Sequence, residues 1–304
     1  MAWQDLADEF IKANLRRKPL AAVRSYESCI AAFTSAAEPA NIGDIDVSML
    51  ENFLDARLQT GRRAATVNKE LRHVKAVLRW AVRRKYLSEF PSFTGVFVRE
   101  DRSTPVSVPQ TTFHNMVKAL VDPSLELKVR SAGWWRMFLY LAYYLGGRRG
   151  ELLDLTWDQV SFERREVTIV SAKSKGRKTR TLPIARELAQ LLHEWQDGGG
   201  TDSEVLPWPY ATYRKLYEDW HAIQDAAGLP AELHYLPKNL RSACATELTT
   251  AGVPTAVVQQ YLGHASIETT ANYYVNADEA MHSAAEARAV VLNGAATEEA
   301  ESKM

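Results

Sequence analysis

One stretch of the chain, residues 134–151, reads WWRMFLYLAYYLGGRRGE and gives the first indication of the fold. Residues 134–145 are almost all apolar or aromatic, which is typical of a helix buried in a core. Two glycines follow, and glycine commonly ends a helix because it adopts a left-handed backbone without strain. Two arginines, one more glycine and Glu151 come next. The stretch therefore predicts a core helix, a break at the glycines and a second helix that begins with charged residues.

The chain on either side of this stretch is predominantly helical in pattern. In the first hundred residues, apolar side chains recur at helical spacing. Residues 166–170 are instead rich in β-branched side chains, Lys175 and Gly176 can turn, and residues 179–184 can return as a second strand. Helical patterns resume from Ala185 onward. We therefore predict a mainly α fold with a small β-sheet.

The chain is long enough, at 304 residues, for two ordinary domains that each bury a core. Residues 91–109 contain three prolines and several serines and threonines with little periodicity, which indicates a linker. We predict a helical domain over residues 1–95, a linker over 96–109 and a second domain over 110–292. Residues 293–304 are predicted to be a disordered tail.

The composition is that of a globular protein, with 46% hydrophobic and 24% charged residues. No apolar run approaches the roughly 18 residues that a membrane-spanning helix needs. The N-terminus lacks the basic-then-apolar layout of a secretory signal. Cys29 and Cys244 offer no disulfide framework, and they fit a reducing compartment. These features predict a cytoplasmic protein with no membrane partner.

Basic residues are concentrated in one region, although the chain as a whole has 37 basic and 37 acidic residues. Between Arg57 and Lys85 there are ten basic residues and one acid, Glu70. A helix over residues 66–86, with Thr66 as its N-cap, would separate an apolar face from a basic face. Two interpretations stay open, a solvated amphipathic face or a surface that pairs with nucleic-acid phosphates. The basic face consists of Lys69, Arg72, Lys75, Arg79 and Arg83.

Several common kinds of chemistry find no support in the sequence. The seven histidines are scattered and neither cysteine has a partner two residues away, so no metal-ligand spacing is present. The glycine runs at 146–147 and 198–200 lack the Lys-Ser/Thr ending of a phosphate-binding loop. There is no G-x-S-x-G nucleophile elbow. Metalloenzyme chemistry, nucleotide hydrolysis and serine hydrolysis are therefore unsupported, and no cofactor is predicted.

Four separate segments carry most of the groups that could do chemistry. Each has an ordinary explanation by itself, since arginines commonly form surface salt bridges, basic hairpins are solvated and aromatic pairs lie in cores. Their order along the chain is what makes them informative together. The four are residues 146–155 (GGRRGELLDL), 173–180 (KSKGRKTR), 238–241 (KNLR) and 262–274 (LGHASIETTANYY).

The order and spacing of these segments resemble the tyrosine recombinases, the family of phage integrases, Xer proteins and Cre. That family carries an arginine in a T-G-x-R-x-x-E box, a hairpin lysine, an H-x-x-R box, and L-G-H followed nine residues later by a nucleophilic tyrosine. Residues 145–151 match the first box except for its threonine, and counting nine residues from His264 selects Tyr273 over Tyr274. The resemblance extends over about residues 3–290.

The resemblance implies DNA strand transfer through a covalent 3′-phosphotyrosine, without metal or ATP. Arginines suit this reaction because a guanidinium keeps its charge and donates paired hydrogen bonds to phosphate oxygens. A phenol has an ordinary pKa of about 10, so it needs a base or a cationic environment to lose its proton, and the leaving 5′-oxygen needs an acid. The implied catalytic residues are Arg148, Lys173 as the acid, Lys238, Arg241, His264 and the nucleophile Tyr273, with Glu151 as a supporting residue.

The chain departs from the family pattern at the second box. Lys238 stands where the family has a histidine, and Ser242 stands where a second histidine is common. A lysine can donate to a phosphate oxygen, but it accepts a proton poorly unless its pKa is lowered. His234 is an alternative to Lys238, although its register, four residues upstream, disfavours it.

The resemblance also implies the domain types and the partners. Residues 65–72 are similar to the helix with which the family's SAM-like core-binding domain contacts DNA, ahead of an α+β catalytic domain of the DNA breaking-rejoining fold. Duplex DNA would bind two protomers per core site and a tetramer in synapsis, with accessory DNA-bending or directionality proteins as further partners. Residues 280–292 would form a helix that docks on a neighbouring protomer. Lys175 and Arg177 of the hairpin join the basic helix as candidate DNA contacts.

Two other functions stay open at this point. A type IB topoisomerase uses a similar tyrosine site and relaxes supercoils without exchanging partners, but the small helical N-terminal domain favours a recombinase. A DNA-binding protein with a decayed active site would explain Lys238 and Leu145, which depart from the family boxes.

Overall fold

The chain divides into two compact units, Met1–Arg102 and Ser103–Met304. The predicted linker carries a buried residue near each end, because Val96 belongs to the core of the first unit and Val108 to the core of the second. No helix in the described parts of either unit is long and apolar enough to cross a membrane. The structure is a computed structural model, and it describes residues 1–100, 105–170, 179–198 and 203–264.

The N-terminal unit is built from α-helices around one apolar core. Aromatic rings fill its centre, with Trp3 packed edge-on against Phe33, and Phe33 against Phe53, at centroid distances of 5.2 and 5.1 Å. All three side chains are buried. The helices are α1 (Trp3–Leu15), α2 (Leu20–Ala37), α3 (Val47–Gln59) and α4 (Ala64–Arg83), with a 3-10 turn at Ile42–Asp44 between α2 and α3.

Helix α4 differs at both ends from the helix predicted over residues 66–86. It begins at Ala64, since two successive alanines favour the helix, so Thr66 lies inside the first turn and does not cap it. It ends at Arg83, and Lys85 beyond it adopts a left-handed backbone with φ of 62°. The predicted apolar face is fully buried at Val67, Leu71, Val74 and Leu78.

The second unit combines helices with a three-stranded antiparallel sheet, which confirms the predicted mainly α fold with a small sheet. The strands are β1 (Val160–Ser161), β2 (Glu166–Ile169) and β3 (Arg180–Pro183), arranged in that order. Ile169 lies opposite Arg180 in the pair formed by β2 and β3. The helices are α5 (Gln110–Ala119), α6 (Ala132–Leu145), α7 (Arg149–Leu153), α8 (Arg186–Asp197), α9 (Leu216–Ala226), α10 (Lys238–Thr250) and α11 (Thr255–Leu262).

Helix α6 lies at the centre of the second core, as its sequence predicts. Trp135 and Leu139 are fully buried, and the Ser131 hydroxyl caps the helix N-terminus. The helix ends at Gly146, which adopts a left-handed backbone with φ of 56°. A Cβ at this position would lie 2.5 Å from Leu262 Cδ2. Glycine is therefore required here both for the backbone conformation and for the close approach of α11.

Asp219 of α9 holds the segment that precedes α6. Its carboxylate accepts hydrogen bonds from the backbone N–H groups of Lys128 and Arg130, at 2.7 and 2.9 Å, and from Trp135 Nε1 at 2.9 Å. Because Asp219 is buried, these bonds replace the hydration that its charge loses on folding. The contacts fix the start of the helix whose other end leads into Arg148.

We expect Asp219→Asn to lower the free energy of unfolding by about 2–4 kcal/mol, because the amide places a donor against N–H groups that need an acceptor. Chemical denaturation followed by tryptophan fluorescence measures the change. Glu218→Gln, at an exposed position of the same helix, is the matched control and should change stability by less than about 0.5 kcal/mol. Equal stabilities of the two variants would contradict this role of Asp219.

Candidate active site

Arg148 lies at the start of α7, directly after the glycines that end α6. Glu151 accepts hydrogen bonds from the Arg148 backbone N–H at 3.0 Å and from Arg148 Nη1 at 2.9 Å. The R-x-x-E spacing therefore has a local cause, since a helix brings residues three apart onto one face. The Arg148 side chain remains 28% exposed. Its guanidinium is thus held in place and still accessible from solvent.

Arg241 of α10 joins the ends of two other helices. Its Nη1 donates to the Gly146 carbonyl oxygen at 2.6 Å, and its Nη2 donates to the Leu262 carbonyl oxygen at 2.5 Å. The last carbonyl groups of a helix lack partners within the helix and carry the negative end of its dipole. A buried cation therefore suits both positions, and it holds the ends of α6 and α11 together.

Three successive carbonyl groups at the end of α11 accept hydrogen bonds from three different arginines. These side chains come from the N-cap of α7, from β3 and from α10, and His264 follows directly after Gly263. We refer to the three arginines as the arginine cluster. The pairs are Tyr261 with Arg180 Nε at 2.8 Å, Leu262 with Arg241 Nη2 at 2.5 Å, and Gly263 with Arg148 Nη2 at 3.4 Å.

Arg180 is the member of this cluster to which the sequence analysis assigns no role, although it ends the basic segment 173–180. Its side chain is buried, and its Nη2 donates to Glu151 Oε2 at 3.0 Å. A signal for it exists in the strand pattern. Leu182 and Ile184 are buried, and side chains two residues apart in a strand share a face, so position 180 also points inward. A buried arginine there requires a fixed acceptor.

Glu151 is buried and carries its charge between two guanidiniums. Burial opposes ionisation, but hydrogen bonds from Arg180 and Arg148, together with the charge of Arg180, outweigh it and lower the pKa of the carboxyl to about 2. The pKa of Glu151 is therefore lower in the folded protein than its ordinary value of 4.5. The ionised carboxylate stabilises the fold fully above pH 4.5, and this stabilisation is lost as the pH falls towards 2. The site therefore contains a carboxylate throughout the neutral and mildly acidic range.

His264 places an imidazole beside the arginine cluster. Its backbone N–H donates to the Gln259 carbonyl oxygen at 3.0 Å. Burial and then the charges of Arg241, Arg148 and Arg180 lower the pKa of the imidazole to about 4. The ring is therefore neutral at pH 7, which is the form that can accept a proton.

Lys238 is the first residue of α10, and its side chain is exposed. The start of this helix is fixed by the next residue, because Asn239 Nδ2 donates to the Val106 carbonyl oxygen at 2.7 Å. The alternative residue, His234, contacts α9 instead, with its Nε2 3.1 Å from Asp225 Oδ1. Lys238 thus shares a helix with Arg241, whereas His234 is bonded to a different element.

The predicted DNA-binding face of α4 packs partly against aromatic rings from later in the same unit. Lys75 Nζ lies 5.0 Å from the centre of the Phe93 ring, and the guanidinium carbon of Arg79 lies 5.5 Å from the centre of the Phe90 ring. A cation above an aromatic face is attracted by the ring quadrupole. These contacts orient two of the predicted cations.

Four cations of this face are exposed. Glu70, the single acid between Arg57 and Lys85, is buried, with its Oε1 2.7 Å from Arg57 Nη2. Glu100 Oε1 lies 3.4 Å from Arg72 Nη1, so the α4 face keeps a net positive charge towards solvent with one of its cations paired. The exposed cations are Lys69, Arg72, Arg79 and Arg83.

Several predicted residues lie outside the part of the chain that the structure describes. Three of them belong to the connection between β2 and β3, and the others follow His264. Their roles stay predictions. They are Lys173, Lys175, Arg177, Tyr273, the docking helix over residues 280–292 and the tail over residues 293–304.

Comparison with known proteins identifies the family. The model of the phage integrase family matches residues 110–281, and the model of the phage integrase N-terminal SAM-like domain matches residues 15–85. Tyrosine recombinase XerD of Pasteurella multocida is 28% identical over 242 residues, 76% of this chain and 78% of the relative. XerC of Corynebacterium efficiens is 27% identical over 258 residues, 83% of this chain and 80% of the relative. The chain belongs to the phage integrase family, and the predicted resemblance to tyrosine recombinases is confirmed.

Solved structures support the fold assignment. The Tn1549 transposon integrase, in complex with transposon right-end DNA, aligns with a TM-score of 0.73 and 15% identity over 90% of this chain and 95% of that one. The XerH site-specific recombinase, bound to a palindromic difH substrate, aligns with a TM-score of 0.72 and 20% identity over 91% and 82% of the two chains. At this level of identity the likeness concerns the fold.

We expect Gly263→Ala to destabilise the protein by more than the usual cost of a left-handed alanine. Gly263 has φ of +65°, and a Cβ there would lie 3.0 Å from Arg180 Nη1 and 3.3 Å from Arg180 Cδ. The matched control is Gly252→Ala, where φ is +76° but nothing lies within 4 Å of the added Cβ. The control isolates the backbone strain, about 1–2 kcal/mol.

Chemical denaturation of both variants measures the difference. The free energy of unfolding should fall by at least about 1 kcal/mol more in Gly263→Ala than in Gly252→Ala, because the buried guanidinium of Arg180 must move. Equal losses would show that Arg180 does not pack against this glycine.

Proposed function

We propose that this protein is a site-specific DNA recombinase that cleaves and rejoins strands through a covalent 3′-phosphotyrosine at Tyr273. The observation that carries the proposal is the arginine cluster, which brings three guanidiniums, one carboxylate and a neutral imidazole to one helix end. Such a surplus of fixed positive charge suits a phosphodiester, whose oxygens gain charge as the phosphorus is attacked. The family assignment supports the same reaction.

Arg148 and Arg241 would bind the non-bridging oxygens of the scissile phosphate. A guanidinium carries five N–H donors, so it can bond protein carbonyls and a phosphate at the same time. Because the protein orients both side chains before the substrate arrives, little reorganisation accompanies the reaction. Losing one donor of this kind costs about 3–4 kcal/mol of transition-state stabilisation, or roughly a hundred- to a thousand-fold in rate.

The cleavage step exchanges one phosphodiester for another. The phenol oxygen of Tyr273 attacks phosphorus and loses its proton, while the bond between phosphorus and the 5′-oxygen breaks. His264 and Lys238 are the candidates for taking up the phenolic proton and orienting the phosphate, and the neutral imidazole is the better acceptor. Lys173 would give a proton to the leaving 5′-oxygen. The phosphotyrosine conserves the bond energy, so a 5′-hydroxyl can reverse the step without ATP.

Duplex DNA with core recombination sites is the proposed substrate. The exposed cations of α4, together with Lys175 and Arg177, would contact backbone phosphates, which fixes position without reading sequence. We propose two protomers per site and a tetramer in synapsis, with accessory DNA-bending or directionality proteins, in the cytoplasm at the nucleoid. The core-binding domain would occupy residues 1–95 and the catalytic domain residues 110–292.

We expect Tyr273→Phe to bind DNA as the parent protein does and to form no covalent adduct, because phenylalanine lacks the attacking oxygen. A suicide substrate, nicked near the scissile phosphate, traps the adduct for detection on a denaturing gel. Tyr274→Phe is the matched control and should still form the adduct. Cleavage by Tyr273→Phe together with loss of cleavage in Tyr274→Phe would show that the nucleophile is misassigned.

The same assay separates the alternative functions. Tight DNA binding by the parent protein without any adduct would favour a decayed active site. Relaxation of a supercoiled plasmid, with no product that joins two sites, would favour a type IB topoisomerase. A joined product supports recombination.

We expect Arg72→Ala to reduce the salt dependence of DNA binding. The slope of log K against log salt should fall by about 0.9, because the variant neutralises one phosphate fewer. Arg72 Nη1 lies 3.4 Å from Glu100 Oε1, an exposed pair that a phosphate can replace. Binding titrations at several salt concentrations measure the slope. The control is Lys12→Ala, which removes an exposed cation of α1. Equal changes of slope in the two variants would contradict the assignment of the α4 face as the DNA contact.

A further inference from the structure

We propose that Arg180 is a positioning residue of the active site. It orients Arg148 through Glu151, and it orients His264 through the end of α11. This inference rests on the proposed function and adds to that site a residue that is not among the predicted catalytic residues. Arg180 does not touch the substrate in this proposal. It acts on groups that do.

Arg180 joins two parts of the site with one guanidinium. Its Nη2 donates to Glu151 Oε2 at 3.0 Å, and its Nε donates to the Tyr261 carbonyl oxygen at 2.8 Å. The other oxygen of Glu151 accepts from Arg148 Nη1 at 2.9 Å. Glu151 therefore lies between two arginines. Displacing Arg180 would release both the carboxylate that orients Arg148 and the helix end that leads into His264.

Burial separates the role of Arg180 from that of Arg148. The Arg180 side chain is 6% exposed, whereas that of Arg148 is 28% exposed. A phosphate can therefore reach Arg148 more readily than Arg180. Arg241 is as buried as Arg180, so its proposed contact with the phosphate rests on its place in the second arginine box and not on exposure. Gly263 contributes to the burial of Arg180, because even a Cβ there would lie 3.0 Å from Arg180 Nη1. The glycine of the L-G-H motif is thus a packing partner of Arg180.

The two bonds of Arg180 require the geometry of a guanidinium. Nε and Nη2 belong to one rigid plane, so bonding the Tyr261 carbonyl through Nε fixes the direction in which Nη2 meets Glu151. A lysine at this position would keep the positive charge beside Glu151. Its ammonium is a point charge on a flexible stem and does not reproduce the fork. Charge and geometry can therefore be tested separately.

Arg180 is the first residue of β3, and it pairs with Ile169 at the end of β2. Its bond to Glu151 therefore ties the start of this strand to the carboxylate that orients Arg148.

Arg180 also contributes to the field at His264. Burial, Arg241, Arg148 and Arg180, in that order, lower the pKa of this imidazole. Replacing Arg180 with a neutral residue removes one cation and so raises the pKa of His264 from its value of about 4. A lysine retains the cation. A loss of packing alone would not distinguish the two substitutions in this way.

Three variants test the proposal. Arg180→Gln removes the charge, Arg180→Lys keeps it, and Arg164→Gln removes an exposed arginine that pairs with Glu166 of β2. Two readouts are measured: the pKa of His264 by NMR titration of the DNA-free protein, and the single-turnover cleavage rate of a nicked suicide substrate at saturating protein. Saturation separates the cleavage rate from any change in DNA affinity.

We expect Arg180→Gln to raise the pKa of His264 and to slow cleavage about ten- to a hundred-fold, the cost of misplacing groups that act on the substrate. Arg180→Lys should keep the pKa of His264 close to that of the parent protein and still slow cleavage, because it cannot form both bonds. Arg164→Gln should change neither readout. Two further variants, Glu151→Gln alone and Glu151→Gln with Arg180→Lys, complete the test. The double variant should cleave little more slowly than Glu151→Gln, because both changes break the same contact.

The outcomes that would overturn the proposal are distinct from a failure of the proposed function. Parent-like cleavage by Arg180→Gln with an unchanged pKa of His264 overturns it. If Arg180→Gln does not fold, parent-like cleavage by Arg180→Lys overturns it, and slowed cleavage with a parent-like pKa supports it. If the parent protein forms no covalent adduct at all, the proposed function fails. The NMR titration still shows whether Arg180 acts on His264.

Discussion

The end of helix α11 depends on arginine side chains from three other elements. The last carbonyl groups of a helix have no N–H partner within it, and burying them unpaired is costly. Here the partners are guanidiniums from the N-cap of α7, from β3 and from α10. The dependence is mutual, since the same carbonyls fix the direction of each guanidinium. The same hydrogen bonds therefore complete the helix and orient the guanidiniums. One of them joins Arg148 to Gly263, which are 115 positions apart in the chain.

Two glycines make this arrangement possible, and they explain two of the sequence motifs in physical terms. Gly146 ends α6 and Gly263 ends α11, and both adopt left-handed backbones. A Cβ at Gly146 would lie 2.5 Å from Leu262, and one at Gly263 would lie 3.0 Å from Arg180. Each glycine therefore turns the chain and also admits a neighbouring element. The two helix ends can approach closely enough for Arg241 to bond both.

The sequence predicts the elements and the motif residues, but it does not predict the network that joins them. The apolar run of α6, the two longer strands and the R-x-x-E spacing are local properties, because periodicity determines which face of an element is buried. The hydrogen-bond partners of Arg180, Glu151 and Tyr261, are distant in sequence. The sequence indicates only that Arg180 lies on the same, buried face of its strand as Leu182. Lys75 illustrates the same limit. The spacing of the charges assigns Lys75 to a basic face. Its contacts with the rings of Phe93 and Phe97 depend on tertiary packing, which that spacing does not predict.

The charge balance at this helix end has a consequence for proton transfer. Among the described residues, three guanidiniums and one carboxylate meet at this helix end, and burial together with the field of the guanidiniums lowers the pKa of His264 to about 4. A phosphodiester bound at Arg148 and Arg241 would add a negative charge that offsets this field, so the pKa of the imidazole would rise once substrate is in place. The base would then strengthen when the phosphorus is positioned for attack. Without substrate, a weak base would face a phenol with an ordinary pKa of about 10, and the proton would stay on the phenol. In the proposed mechanism, binding and chemistry are therefore coupled through the same arginines that complete α11.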